Sequence, residues 1–136
     1  MRKIFLIILL FISFAQVGCG NVDNKAAITG IIFHNHPMDV PVGCVITIQI
    51  EDITKAGASG KIIAHKVIES QGEALPMPFD VIYDPKEIRA DHTYSVKVTI
   101  EDPTRTILYS NNLIVPVITN GNPTQNIEVY VILIKG

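Results

Sequence analysis

Four segments of the chain alternate apolar and polar residues with a period of two. In "CVITIQIED", Ile46, Ile48 and Ile50 share one side, while Val45, Thr47 and Gln49 share the other. "YSVKVTIED" sets Tyr94, Val96, Val98 and Ile100 against Ser95, Lys97 and Thr99. "MPFDVIYD" aligns Phe79, Val81 and Tyr83, and "NIEVYVILI" aligns Ile127, Val129, Val131 and Leu133. Side chains on a strand point alternately to its two faces, so this pattern predicts strands buried on one side. "AITGIIFH", "KIIAHKVIE" and "TILYSNNLIVPV" add three more, the last broken at Asn111-Asn112 and ended by Pro116. Seven strands are expected in all.

The strands are separated by turn formers: His-Pro-Met-Asp, Pro-Val-Gly, Lys-Ala-Gly-Ala-Ser-Gly, Gln-Gly-Glu, Asp-Pro-Lys, Asp-Pro-Thr and Asn-Gly-Asn-Pro. The 3,4-spaced apolar pattern of a long helix is missing, and "DPKEIRAD" has room for one short turn. An all-β domain follows, a seven-stranded antiparallel sandwich of immunoglobulin-like kind, with a small barrel as the runner-up. The chain has no Trp, so the Cys–Trp–Cys core of antibody domains is missing and the likeness is architectural.

The first residues follow a different rule. Arg2 and Lys3 precede an apolar run from Ile4 to Phe14 in which only Ser13 is polar. Such a run is too short for a bilayer core, which needs about 20 residues, and it has the layout of an export signal. Two cleavage sites compete. Ser13-Phe14-Ala15 suits ordinary signal peptidase. Val17-Gly18-Cys19 resembles the end of a lipobox, in which the Cys receives a diacylglyceryl thioether and becomes an acylated N-terminus, although Gln16 stands where that pattern has Leu. The preferred division is a lipoprotein signal peptide over 1–18, a polar tether over 19–26 and a β-domain over 27–136. Gly20 follows Cys19 where an inner-membrane retention signal has Asp, so the expected location is the outer membrane, facing the periplasm. A soluble periplasmic or secreted chain is the alternative.

Cys19 and Cys44 are the only cysteines. With lipid on Cys19, Cys44 is an unpaired thiol in an oxidising compartment and has to be buried. With Cys19 free, a Cys19–Cys44 disulfide is open.

Cleavage before Cys19 removes 18 of 136 residues and leaves 118, enough for one ordinary domain. Without Arg2 and Lys3, 9 basic residues face 13 acidic ones, a formal charge of −4. There is no basic patch to bind nucleic acid. There is also no Gly-x-Ser-x-Gly elbow, no cysteine-hydrolase context around Cys44, and no glycine loop opening a helix. No enzyme and no cofactor is therefore expected. "IEDITK" and "IEDPTR" echo each other, and their paired acids are weighed as calcium ligands against ordinary acid-rich turns, the turns preferred.

Two chemical features remain. His34 and His36 stand two apart, and on an extended chain both face one side, where they can begin a metal site. Cys44, His65 and His92 are the available further ligands, at no recognised spacing. The segment "AITGIIFH" carries no acidic or basic residue before its closing His and no Pro, the devices that guard an exposed strand edge. Ile28, Gly30, Ile31 and Ile32 are accordingly the candidate edge for capturing an extended segment of another protein.

Ile28-Thr29-Gly30, "VPVGCVITIQIEDIT", "LPMPFDVIYDPKEI", "YSVKVTIED" and "VPVITNGNP" occur in the order seen in lipoproteins of the YbaY/YscW type. The chain resembles that family over residues 28–133. The resemblance implies a small membrane-anchored β-sandwich. In members linked to type III secretion it implies a pilotin, which binds a secretin subunit and helps carry it to the outer membrane. The matched positions are turns and strand cores, with Thr29-Gly30 expected at a close backbone approach and Asp84-Pro85 at a turn. The expected function is thus a non-catalytic envelope lipoprotein, held to the membrane by acyl chains on Cys19, that binds or escorts another envelope protein. The alternative is a small-molecule or metal-binding accessory protein using His34 and His36.

Overall fold

A computed structural model describes residues 24–55 and 60–134. The leader, Cys19 and the tether up to residue 23 lie outside the described residues. Among the described residues there are eleven strands and one short 3-10 turn: β1 (Ala26–Phe33), β2 (Met38–Asp39), β3 (Val45–Asp52), β4 (Lys61–Glu69), β5 (Ala74–Leu75), β6 (Met77–Tyr83), β7 (Tyr94–Glu101), β8 (Ile107–Ser110), β9 (Pro116–Val117), β10 (Ile127–Tyr130) and β11 (Ile132–Leu133), with the turn at Pro85–Glu87. Asp84 caps that turn by accepting from the Lys86 N–H.

Two sheets face each other. The larger is ordered β11-β8-β7-β3-β4, with β9 also paired to β7; the smaller is β10-β1-β6. Ile46, Ile48, Ile50, Val96, Val98 and Ile100 of the larger sheet meet Ile28, Ile32, Phe79, Val81, Ile127 and Val129 of the smaller one, all of them buried. The period-2 reading assigns the inward side of β3, β6 and β7 correctly. It fails at Leu133, which is 54% exposed. The chain leaves the small sheet at Val131, whose N–H donates to Phe33 O, and crosses to the large one, where Leu133 pairs with Tyr109. The last strand thus spans both sheets and closes one side of the sandwich. The other side, where β4 lies beside β6, is bridged by Lys66 and Asp80 at 2.7 Å rather than by a backbone ladder. The sheets do not close into a barrel.

Seven expected strands become eleven for local reasons. Asn111 splits one into β8 and β9, the crossing at Val131 splits another into β10 and β11, and the two-residue strands β2 and β5 pair across the top of the sandwich. Ala26, assigned to the tether from the sequence, opens β1 opposite Tyr83.

The docking-edge expectation is overturned. β1 is the central strand of its sheet, antiparallel to β6 from Ala26 to Ile32 and parallel to β10 from Gly30 to Phe33. Ile28 and Ile32 are wholly buried, and Gly30 lies against the Ile127 backbone. The uncharged composition is compatible with a strand paired on both sides, since such a strand needs no guard. The parallel β1–β10 pair also departs from the all-antiparallel expectation. It follows from the first and last strands both running toward the β2–β5 end.

The terminal strands β6 and β4 carry guards of different kinds. β6 holds Pro78, which has no N–H to offer a new strand. On β4, Lys66 pairs with Ile48 and so stands on the core side, an inward-pointing charge that resists a docking strand.

A candidate docking face and the joints around it

Alternation that buries one side of the small sheet turns the other side outward. Because Ile28 and Ile32 point in, Ile31 and Phe33 point out, and register places Ile31 between Pro78 of β6 and Glu128 of β10. The next pair along is Phe33 and Tyr130, whose rings lie 5.3 Å apart. Two adjoining hollows of about 440 and 270 Å³ lie on this face and share Ile31 and Glu128. Pro37, Pro76 and His34 wall the smaller one. Apolar side chains flank the Glu128 carboxylate, with Ile31 and Pro78 exposed and Phe33 and Tyr130 half-buried. Ile31, at 38% exposure, is the one residue of the expected edge that reaches this surface.

His34 and His36 flank the face. His34 Nδ1 lies 2.7 Å from Val131 O, and a carbonyl only accepts, so the Nδ1–H donates. The His34 ring stacks on Tyr130 at 10° and 6.0 Å, meets Tyr109 edge-on at 5.5 Å, and lies 6.4 Å from the His36 ring. The proposed further ligands are elsewhere. Cys44 is buried at the start of β3, while His65 pairs with Gln49 on β4 and His92 binds Asp52. Among the described residues, no group of three or more His, Cys, Asp or Glu stands close enough to hold a metal.

The repeated Ile-Glu-Asp-x-Thr motif proves to be one turn used twice. Asp52 accepts from the Thr54 N–H and hydroxyl, and Asp102 accepts from the Thr104 N–H and hydroxyl and from the Thr106 N–H. The hydroxyl bond from Thr104, with the Thr106 N–H, holds the Asp102 carboxyl below its usual range. Asp52 also accepts from His92 Nδ1 at 2.6 Å, which ties the end of β3 to the start of β7. Burial pushes the Asp52 carboxyl up, but the bonds from Thr54 and His92 outweigh it and bring its pKa down to about 2. A hollow of about 500 Å³ lies beside this joint and is lined by Lys55, Lys61, Arg89 and Glu87 as well. Its acid and imidazole are engaged with each other, and the Thr54 hydroxyl is engaged with the same acid.

A second polar joint escaped the sequence reading. Asn111 is 4% exposed; its Oδ1 accepts from Val98 N–H, and its Nδ2 donates to Val96 O and Leu113 O. One side chain thus replaces a strand's worth of ladder along β7. The displaced loop carries Leu113 and Ile114, each 69% exposed.

Comparison with known proteins agrees with this architecture. A family model described as "Type III secretion system lipoprotein chaperone (YscW)" matches residues 23–129. The uncharacterized lipoprotein YbaY of Escherichia coli (strain K12) is 23% identical over 96 residues, which is 69% of this chain and 49% of that protein. The chain therefore spans about half the length of this relative. The fold is similar to that in the structure of an alternative pilotin from the type II secretion system of Vibrio cholerae, with a TM-score of 0.71 and 24% identity over 79% of this chain and 97% of that one. With its strands in the shared architecture and nearly all of its described length under the family model, the chain belongs to the YscW lipoprotein chaperone family.

Proposed function

We propose that this protein is a non-catalytic, lipid-anchored component of the bacterial envelope that binds and escorts another envelope protein of the secretin kind. The observation that carries this reading is the apolar outer face of the small sheet, exposed at Ile31 and Pro78. Ile31, Phe33, Pro78 and Tyr130 form an apolar surface around Glu128, rigidly backed by a core that leaves these side chains no inward option. Apolar anchors around a few oriented polar groups are what a protein docking site requires. The chaperone description of the family and the pilotin identity of the structural neighbour support the same role.

The anchor is Cys19, in the outer membrane with the domain facing the periplasm. The burial of Cys44, at 2% exposure, favours lipid on Cys19 over a disulfide, because a thiol held in the core is shielded from oxidation and needs no partner. The β-domain begins seven residues after Cys19, so the tether reaches at most about 25 Å and keeps the domain close to the bilayer.

Crosslinking in intact envelopes tests this reading. The wild type is expected to capture one dominant envelope protein, and Ile31→Asp to lose it while keeping the wild-type melting curve. Capture unaffected by Ile31→Asp and by Glu128→Lys would remove the outer face from the account. Intact mass of the mature chain reads the anchor: acyl chains on Cys19 support it, and an unacylated chain that gains two hydrogens on reduction overturns it.

A further inference from the structure

We propose that His34 and His36 together bind a late divalent transition metal, Cu²⁺ most tightly. The Val131 carbonyl fixes the proton of neutral His34 on Nδ1, leaving the Nε2 lone pair free to act as a ligand. A backbone carbonyl behind one ring nitrogen is the outer contact that orients a metal-binding histidine and raises its basicity. The ring is already held in place by stacking on Tyr130 and by the edge contact with Tyr109, so little further freedom is lost on coordination.

His36 completes the pair. It lies two residues on, past the end of β1, and its exposed ring stands 6.4 Å from that of His34 at 75°. An ion shared by the two rings needs one nitrogen of each at about 2.0–2.1 Å, an approach that a turn of the exposed His36 side chain has to supply. Among the described residues neither imidazole is paired with a carboxylate. Glu128, which lines the same hollow as His34, adds negative potential that favours a cation. Two nitrogen ligands with open positions for water suit Cu²⁺, which heads the divalent affinity order for such donors. This site does not depend on the docking face being used, since it binds the ion whether or not a partner is present.

Copper titration of the mature full-length chain, prepared with chelator and without a tag, tests the site. One Cu²⁺ per chain is expected, with nitrogen splitting in the electron paramagnetic resonance spectrum from two imidazoles. His36→Ala, at an exposed position with no side-chain hydrogen bond among the described residues, should remove one nitrogen and weaken binding at least about tenfold, since even outer contacts to a metal site are worth 10–100-fold. His65→Ala should change nothing. Absence of stoichiometric copper, or an unchanged spectrum and affinity in His36→Ala, overturns the proposal.

Discussion

A Cβ placed on Gly30 would lie 1.9 Å from the carbonyl oxygen of Ile127, closer than any side chain tolerates. The contact sits at the first register pair of β1 and β10, the parallel ladder that joins the first strand to the last. The glycine is required by the proximity of a neighbouring backbone, not by an unusual φ. Gly30→Ala must therefore push the two strands apart where the small sheet is only three strands wide. The expected loss is at least about 2 kcal/mol, the scale of overpacking in a tight core. Thermal unfolding followed by circular dichroism should show a midpoint lowered by roughly 8 °C or more. Thr29→Ala, on the outward side of the same strand, serves as the control and should stay near wild type.

Much of this was legible in the sequence because strand alternation reports burial directly. Ile46, Ile48, Ile50, Val96, Val98 and Ile100 are inward in the pattern and inward in the fold. Strand order was not legible in the same way. Nothing local in "AITGIIFH" distinguishes a bare edge from a centre strand, and the long-range pairing with β6 and β10 decides it. Asn111 looked like a break, and it is one, but its use as a surrogate ladder depends on Val96 and Val98 of β7 lying alongside. The docking face was missed for a related reason. Ile31, Pro78 and Glu128 come from three distant segments and meet only through register. The one signal available was the apolar residues at outward positions of β1, where a solvated strand face would be polar.

The Asp52–His92 joint gives the fold an acid-sensitive element. The Asp52 carboxyl has a pKa of about 2 in the folded chain, against 3.8 for an unperturbed one. Folding therefore favours the ionised form. The stability this contributes is fully present above pH of about 4 and is lost as pH falls through about 2. Asp52→Asn should lie below wild type in stability at neutral pH, and the two should converge between pH of about 4 and about 2. Denaturant midpoints measured across that range check it; a constant gap down to pH of about 2 would show that the carboxylate charge plays no part.

Lys66 is the last case, and it separates stability from solubility. β4 is a nine-residue free edge carrying exposed Ile62 and Val67. Its Lys66 stands on the core side and reaches Asp80 of β6, but both groups are substantially solvent-exposed, so the ion pair contributes little to folding. Its larger effect is on association, since a second edge strand laid along β4 would have to bury or displace that ammonium. Lys66→Ile should then leave the melting midpoint within a few degrees of wild type, because the change is within about 0.5–1 kcal/mol. The oligomeric state should respond instead. Size-exclusion chromatography with light scattering is expected to show dimers or larger species that grow with concentration, and Lys66→Arg should remain like the wild type. A monodisperse Lys66→Ile protein at the same concentrations would transfer the guarding role to the Asp80 side of the seam.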